Sequence, residues 1–416
     1  MTNVPVSVVV VSRDRPVALR RCLTGLAQVQ YTPFEIVVVA DTKGCAAVAG
    51  SPLAGKVKVI EFDRPNIAEA RNLGISHAAG EIVAFIDDDA VPEPSWLTQL
   101  VAPAARPHVA AMGGFVRGRN GISFQWQARS IDEMGVSESL EMNPNRATLL
   151  TPRGRRGTKT EGTNMAVRRE VLVELEGFDP GFAFYLDETD LNLRLMRAGH
   201  TTAVVPMAEV HHGFAASPRR RKDRVPRDLF DIGASWAVFQ RKYLKEPERR
   251  DHWRAIRASE RVRVIDHMVA GRLLPRDVRY LLSRLDQGYG QGLMRKRGGA
   301  QITDSPVSAF KPMPVTVRES VVLAGRIWQR RRLRAEAIKR VKAGDIVTLI
   351  LLSPTALYHH IRFDPEGFWE QSGGLFGRSD RSDPLFRLRS FHNRIRKEIA
   401  RVAQQRIISA KSWAGD

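Results

Sequence analysis

Cysteine is nearly absent from this 416-residue chain: Cys22 and Cys45 are the only two, too few for a disulfide framework and without metal-ligand spacing. That scarcity fits a reducing, cytoplasmic setting. Long apolar runs are missing as well. The early run Val6–Val11 is only six residues long and is followed by Ser12, Arg13 and Asp14, unlike a secretion signal. Ile346–Leu352 comes nearest to a membrane span and falls far short of the roughly 18 apolar residues one requires. No phosphate-cradling glycine loop, Ser/His/Asp arrangement or cysteine nucleophile stands out, so nothing suggests a covalent catalytic route. What remains is an ordinary globular composition, 43% hydrophobic and 26% charged, long enough for two or three domains.

Acid is scarce in one half only. Residues 1–214 carry 22 Lys+Arg against 24 Asp+Glu, and residues 215–416 carry 43 against 21, so the whole net charge of +20 comes from the second half. Such asymmetry points to a separate role for the basic portion, with an anionic membrane, a phosphorylated acceptor or nucleic acid as partner.

The first half alternates strand-like and helix-like segments. Val6–Val11, Phe34–Ala40, Val57–Phe62 and Ile82–Ile86 read as buried strands. Between them, helices are expected from Pro16 to about Gln28 and over Ile67–Ala79, where Gly80 stops the pattern, with another starting near Pro94. This rhythm predicts an α/β fold with a mostly parallel sheet and helices on both faces. Residues 115–160 are irregular, and Thr151–Lys159 (TPRGRRGTK) reads as a mobile loop. Order resumes at Met165–Val167, with helices from Arg169 and through Glu188–Ala198. Beyond Ser217 the pattern is mainly helical and basic, and the Gly/Pro/Lys/Arg-rich stretch 295–314 reads as a linker.

Three consecutive carboxylates, Asp87-Asp88-Asp89, close the strand Ile82–Ile86. Adjacent acids repel unless something positive neutralises them, and an oxygen-rich set suits Mg²⁺ or Mn²⁺. In open α/β sheets ligands bind outside the carboxyl ends of strands, where these acids fall. The competing reading is a solvated acidic turn. A second cluster, Asp187-Glu188-Thr189-Asp190, opens a helix; one acid there would serve as a cap, whereas three favour chemistry, with Asp190 placed to bond Arg194 one turn on.

In ordered blocks, residues 5–214 resemble the family-2 glycosyltransferases, nucleotide-sugar enzymes of the GT-A type. Ser7–Pro16 (SVVVVSRDRP) is similar to the first strand and nucleotide-cradling turn, bringing Ser12 and Arg13 to the donor. Glu35–Asp41 (EIVVVAD) resembles the strand whose terminal acid, here Asp41, bonds the base; the chain has Ala40-Asp41 where such families often carry two polar residues. Asn66–Ile75 (NIAEARNLGI) is similar to the diphosphate-side helix, with Arg71 in place; a helix-surface salt bridge is its other reading. The resemblance implies that Asp87 and Asp88 face the donor and that Asp89, with Asp87, binds metal. Gly162-Thr163-Asn164, with Gly177-Phe178-Asp179 and with Asp190, corresponds to the acceptor side, though tight turns also account for the glycines. Glu188 corresponds to the general base and Asp187 to its companion, in inverted order relative to the family's usual Glu-Asp. His211-His212 closes the likeness. Adjacent strand residues point to opposite faces, so at most one histidine meets the site, and His211 is taken as a metal candidate beside the alternative of simple packing.

These correspondences imply an inverting, metal-dependent transfer from a nucleotide-sugar donor to a hydroxyl of a glycan or lipid-linked acceptor, in surface polysaccharide synthesis. The expected layout is a GT-A domain over 1–214, a helical extension over 215–294, the linker 295–314 and a basic module over 315–416 that binds acceptor, membrane or another copy. Within it Leu388, Phe391, Ile395, Ile399 and Val402 form an amphipathic stripe between arginines, suited either to an anionic membrane face or to packing on the protein. Asp364–Phe376 (DPEGFWEQSGGLF) reads as part of a folded surface. Other readings are a sugar-nucleotide synthesising enzyme, whose usual glycine-rich opening is missing after Val11, a non-catalytic glycan-binding relative, and a nucleic-acid-binding protein, against which stands the lack of a recognition motif.

Overall fold

The computed structural model describes residues 3–213 and 216–409; the expected boundary at 214/215 lies outside them. In chain order the first half forms β1 (Val6–Ser12), α1 (Pro16–Leu26), β2 (Phe34–Ala40), α2 (Thr42–Ala49), β3 (Lys58–Glu61), α3 (Ile67–His77), β4 (Ile82–Asp87), β5 (Ala90–Pro92), α4 (Trp96–Val101) and β6 (Val109–Arg117). Short strands follow: β7 (Phe124–Trp126), β8 (Arg129–Asp132), β9 (Ser137–Ser139), β10 (Thr148–Leu150) and β11 (Arg156–Lys159). Then come β12 (Met165–Arg168), α5 (Arg169–Glu174), α6 (Asp187–Arg197) and β13 (Thr201–His212).

The main sheet runs β10-β13-β6-β12-β4-β1-β2-β3. β3, β2, β1 and β4 are mutually parallel, β12 opposes both β4 and β6, and β13 is parallel to β6 but opposed to β10. Six of these eight strands therefore point one way, as the βαβ rhythm predicts. β1 is buried along almost its whole length because β-branched residues on both faces pack between two helical layers. Pro16 at the first helical turn, and Asn66, whose Oδ1 accepts from the Glu69 amide at 3.1 Å, set where α1 and α3 begin. Arg156–Lys159, expected within a mobile loop, is instead a strand: β11 pairs with β8 in a small sheet, with Gly157 against Met196 of α6.

The helical region expected after Ser217 is α7 (Phe230–Tyr243), α8 (Glu246–Val269) and α9 (Pro275–Met294). α7 and α9 touch backbone to backbone: a Cβ at Gly233 would sit 2.0 Å from the Leu285 carbonyl, and one at Gly288 1.9 Å from that of Phe230. Only glycine allows that approach.

Past residue 294 the chain has no regular element until β14, yet it does not hang free. The Arg169 guanidinium binds the Thr303 carbonyl at 2.8 Å and that of Asp304. The Val307 amide reaches Ser76 O at 2.8 Å, and the Met313 amide Phe34 O at 2.7 Å. The Lys311 amide bonds buried Glu35 at 2.7 Å. The expected linker is a strap laid along the first domain.

Beyond it lie β14 (Ser320–Arg326), α10 (Arg330–Ala343), β15 (Ile346–Ser353), β16 (His360–Phe363), β17 (Trp369–Gly374) and α11 (Phe391–Arg406). They form a second, four-stranded sheet, β14-β15-β17-β16, in addition to the helices that the sequence announces. The apolar run Ile346–Leu352 is its central strand. α11 turns Ile395 and Val402 inward, so the amphipathic stripe from Phe391 to Val402 packs on the protein, while Leu388 ahead of the helix stays exposed. Among the described residues no helix is long and apolar enough to cross a membrane.

This module is keyed to the first half by one buried ion pair. Arg406, fully buried at the end of α11, places Nε and Nη2 each 3.0 Å from the carboxylate of Glu93 and lies over Trp369 at 4.5 Å. Glu93 also takes His211 Nε2 at 2.8 Å. Burial works against the Glu93 charge, but Arg406 and His211 outweigh it and hold its pKa at about 2, below the ordinary 4.5. Removing one partner of a buried pair strands the other, so Arg406→Ala should cost about 3–5 kcal/mol in urea unfolding. A carboxyl held low stabilises the fold fully above its unfolded pKa and less as pH falls toward its folded one. Glu398, held at about 2 by Arg401 and Arg394 against its burial, acts in the same direction. The urea midpoint should therefore drop between about pH 4.5 and 2, and the drop should be shallower in Glu93→Gln; a midpoint flat over that window would contradict the assignment.

Candidate active site

β4 ends at Asp87, and the next two carboxylates diverge from it. Asp88 turns into the protein, accepting from Ser12 Oγ at 2.7 Å and pairing with Arg15 at 2.9 Å. Burial, only partly opposed by Arg15, pushes its pKa well above the usual carboxylate range. Asp89 is pulled toward the end of β13, where His212 Nε2 lies 2.9 Å from Asp89 Oδ1 and 3.9 Å from Asp87 Oδ2. Arg15 Nη1 stands 3.2 Å from the other Asp89 oxygen.

Asp87, Asp89 and His212 thus offer two carboxylates and an imidazole whose ligand atoms lie within 4.8 Å of one another, a donor set that fits a divalent cation. Gln125 Oε1 stands 3.0 Å from His212 Nδ1. With the proton on Nδ1 donated to Gln125, Nε2 turns its lone pair to the carboxylates, as a metal-binding histidine needs. Burial works against the imidazolium, but Asp89 and then Asp87 outweigh it and raise the His212 pKa, so proton and metal compete for one nitrogen. The expectation for His211 is corrected: strand alternation turns it to the opposite face, onto Glu93, and His212 is the one that meets the acids.

Arg71 joins the two acidic clusters. Buried in α3, it pairs with Asp187 and lies 3.4 Å from Asp87 Oδ1, with its guanidinium over Phe178 at 5.2 Å. Phe178 is held by Asn72, whose side chain bonds the Phe178 carbonyl at 2.7 Å and amide at 2.8 Å. Gly162 is required by the same guanidinium, since a Cβ there would come within 2.4 Å of Arg71 Nη2. Burial raises the Asp187 pKa despite Arg71, and neighbouring Glu188 adds to it. Glu188 is the less enclosed of the two, 3.8 Å from Lys159. Lys159 also pairs with Glu161 at 3.1 Å and stands over Trp126 at 4.7 Å. Burial, the nearby Glu188 charge and Asp87 together lift the Glu161 pKa against the pull of Lys159.

Next to the acids is a cleft lined by apolar Val11, Phe62, Ile67 and Phe184 and by Arg15 and Arg220. An apolar slot flanked by cations suits a flat base attached to phosphates. Arg13 stands at its mouth, paired with Asp63 at 3.1 Å.

Several expected site residues serve the scaffold. Asp41 gives one oxygen to the Gly44 amide and the other to that of Asp14, each at 2.9 Å, which caps α2 and pins the turn after β1. Asn164 clamps three elements, accepting from Trp96 Nε1 at 2.8 Å and donating to the carbonyls of Phe115 and Ala208 at 2.9 and 2.8 Å. Asp190 faces away, to Lys242 at 2.6 Å and Arg194 at 2.8 Å. Thr163 is buried, its hydroxyl without a hydrogen-bond partner among the described residues. Ser12, Arg71, the three aspartates, Asp187, Glu188 and Gly162 do come together. Sequence reasoning missed Arg15, Gln125, Lys159 and Glu161. Arg15 lies within the quoted SRDRP turn and Glu161 just before Gly162, so both had a local signal; Gln125 had none.

The family model described as "glycosyltransferase like family 2" matches residues 4–228. An O-antigen biosynthesis protein, RfbC, from Myxococcus xanthus is 28% identical over 246 residues, 56% of this chain and 19% of that protein. A pre-mycofactocin glycosyltransferase from Mycobacterium tuberculosis is 25% identical over 237 residues, 55% of this chain and 46% of that protein. The chain thus spans less than half the length of either relative. Among solved structures, GalNAc-T7 with UDP, GalNAc and Mn²⁺ superposes with a TM-score of 0.44 at 18% identity, covering 57% of this chain and 48% of that one.

The geometry separates the two histidines experimentally. His212→Ala should weaken Mn²⁺ binding at least tenfold by calorimetry, the size found even for residues one step removed from a metal. His211→Gln, which keeps a donor for Glu93, should leave it unchanged; the reverse pattern would return the ligand role to His211.

Proposed function

Because the chain belongs to glycosyltransferase-like family 2 through residues 4–228, we propose that it transfers a sugar from a nucleoside-diphosphate donor to a hydroxyl acceptor, inverting the anomeric centre. The observation that carries this reading is the convergence of Asp87, Asp89 and His212 beside a cleft with apolar walls and cationic flanks. The nucleotide base occupies the apolar wall near Phe62 and Phe184, and Arg15 and Arg220 face the diphosphate. Asp87, Asp89 and His212 would hold a divalent cation, with the imidazole favouring Mn²⁺ over Mg²⁺. Such a cation would supply the positive charge that a departing diphosphate needs.

Glu188 is the general base. As the acceptor oxygen bonds the anomeric carbon, its proton passes to Glu188 and the bond to the diphosphate breaks with its electron pair leaving on the diphosphate oxygen. Asp187 stays paired to Arg71, which fixes the N-terminus of α6 and with it the Glu188 side chain. Lys159, 3.8 Å from Glu188, limits where that side chain can swing. The name of the Myxococcus relative supports a surface polysaccharide, or its lipid-linked precursor, as acceptor. Arg394 and Arg406, ion-paired inside the fold, are withdrawn from any nucleic-acid contact.

Two measurements test the reading. Calorimetry with UDP, GDP, CDP and dTDP should find one that binds only when Mn²⁺ is present and fails to bind Asp89→Ala. Glu188→Gln should lower turnover at least 100-fold, in the range that general-base removal costs, while donor affinity holds. Unchanged turnover would sink the assignment of the base, and metal-free binding of all four nucleotides would sink that of the donor site.

A further inference from the structure

β14, β15 and β17 are parallel and end in register: Arg326 beside Leu352, and Ser353 beside Gly374. The loops leaving these three carboxyl ends consequently share one edge of the second sheet. Trp328, Leu357, Tyr358, Leu385, Phe386 and Leu388 lie on them, between 54% and 76% exposed. Among the described residues after 317, the only other strongly exposed large apolar side chain is Ile407. Scattered exposed apolar side chains need no explanation, but six on one edge do.

The loops are tied into one surface. Phe376 and Phe386 meet with centroids 5.5 Å apart, the Arg387 amide bonds the Phe376 carbonyl at 3.1 Å, and the Gly374 amide that of Leu357 at 2.9 Å. Arg378 lies over Tyr358 at 5.5 Å and Arg326 over Phe391 at 4.4 Å. The segments 326–332, 354–359 and 375–390 hold eight arginines and two acids, Asp380 and Asp383. Asp383 is paired with Lys397, and the arginines of these segments outnumber the acids, so the edge stays positive.

We propose that this edge is a docking surface for an anionic lipid bilayer. Large apolar and aromatic tips on separate loops, interleaved with arginines, match an interface that takes hydrocarbon at its centre and negative headgroups around it. The stripe of α11, an obvious membrane candidate in the sequence, faces the interior and is not the contact. α11 instead runs from the edge, at Phe391, to Arg406 at Glu93; its sixteen residues set the edge about 24 Å from the Glu93 anchor. This inference stands apart from the transfer reaction, since it rests on residues outside the cleft.

The test is co-sedimentation of the full chain with phosphatidylcholine vesicles, with and without phosphatidylglycerol. The protein should partition onto the anionic vesicles, and a Leu357→Ser, Phe386→Ser, Leu388→Ser triple variant should partition at least roughly tenfold less, by the lost apolar burial. These side chains are exposed, so the triple variant should keep the parental melting temperature and nucleotide affinity, which separates this outcome from any failure at the cleft. An Arg331→Glu, Arg332→Glu variant should lose the preference for phosphatidylglycerol. Equal partitioning of the serine variant would overturn the proposal in favour of nonspecific adhesion by the basic half. Absence of binding to either vesicle would overturn it in favour of a protein partner.

Discussion

Six carboxylates crowd one corner of this molecule: Asp87, Asp88, Asp89, Glu161, Asp187 and Glu188. Left alone they would repel one another, and the fold around them is arranged to prevent it. Arg15 comes from the turn after β1, Arg71 from α3, Lys159 from β11 and His212 from β13. Each of these side chains arrives on a different element, so the corner holds only when the main sheet, α3 and the small sheet of β8, β9 and β11 are all in place. Glycine at 162 and the Asn72–Phe178 clasp make sense as supports for Arg71, the one cation that touches both clusters.

Much of this was legible from local pattern. The four parallel strands, α1 and α3 lie within a few residues of where apolar runs, Pro16 and Gly80 place them, while α2 between β2 and β3 was not foreseen. The triple aspartate and the acids opening α6 also announced themselves, because runs of like charge are conspicuous. Residue type tells what a side chain can bond, not which neighbours reach it within the fold. The amides of Gly44 and Asp14 each bond one oxygen of Asp41. Trp96 and two carbonyls bond the side chain of Asn164. Neither set of partners could be read from local pattern. For His211 and His212, alternation said that one would face the site, and only the register of β13 could say which.

The basic second half is mostly charged surface, but some of its arginines brace buried acids. Arg394 and Arg401 flank Glu398, Arg330 and Arg334 converge on Glu370, and Arg406 reaches Glu93. Its second sheet escaped the sequence reading because helix-rich flanks dominate the composition and Ile346–Leu352 drew notice only as a short apolar run. Arg406 had no local signal whatever, since its partner lies 313 positions away.

That separation has a consequence for the order in which the protein is made. The acids at the end of β4 leave the ribosome early, but buried Glu93 meets Arg406 only once 313 further positions have followed. The strap at 303–313 closes over a domain whose sequence was finished long before. A nascent chain cut short of Arg406 would carry the acidic corner while Glu93 lacked its buried partner, so the state of that carboxylate depends on residues made far downstream.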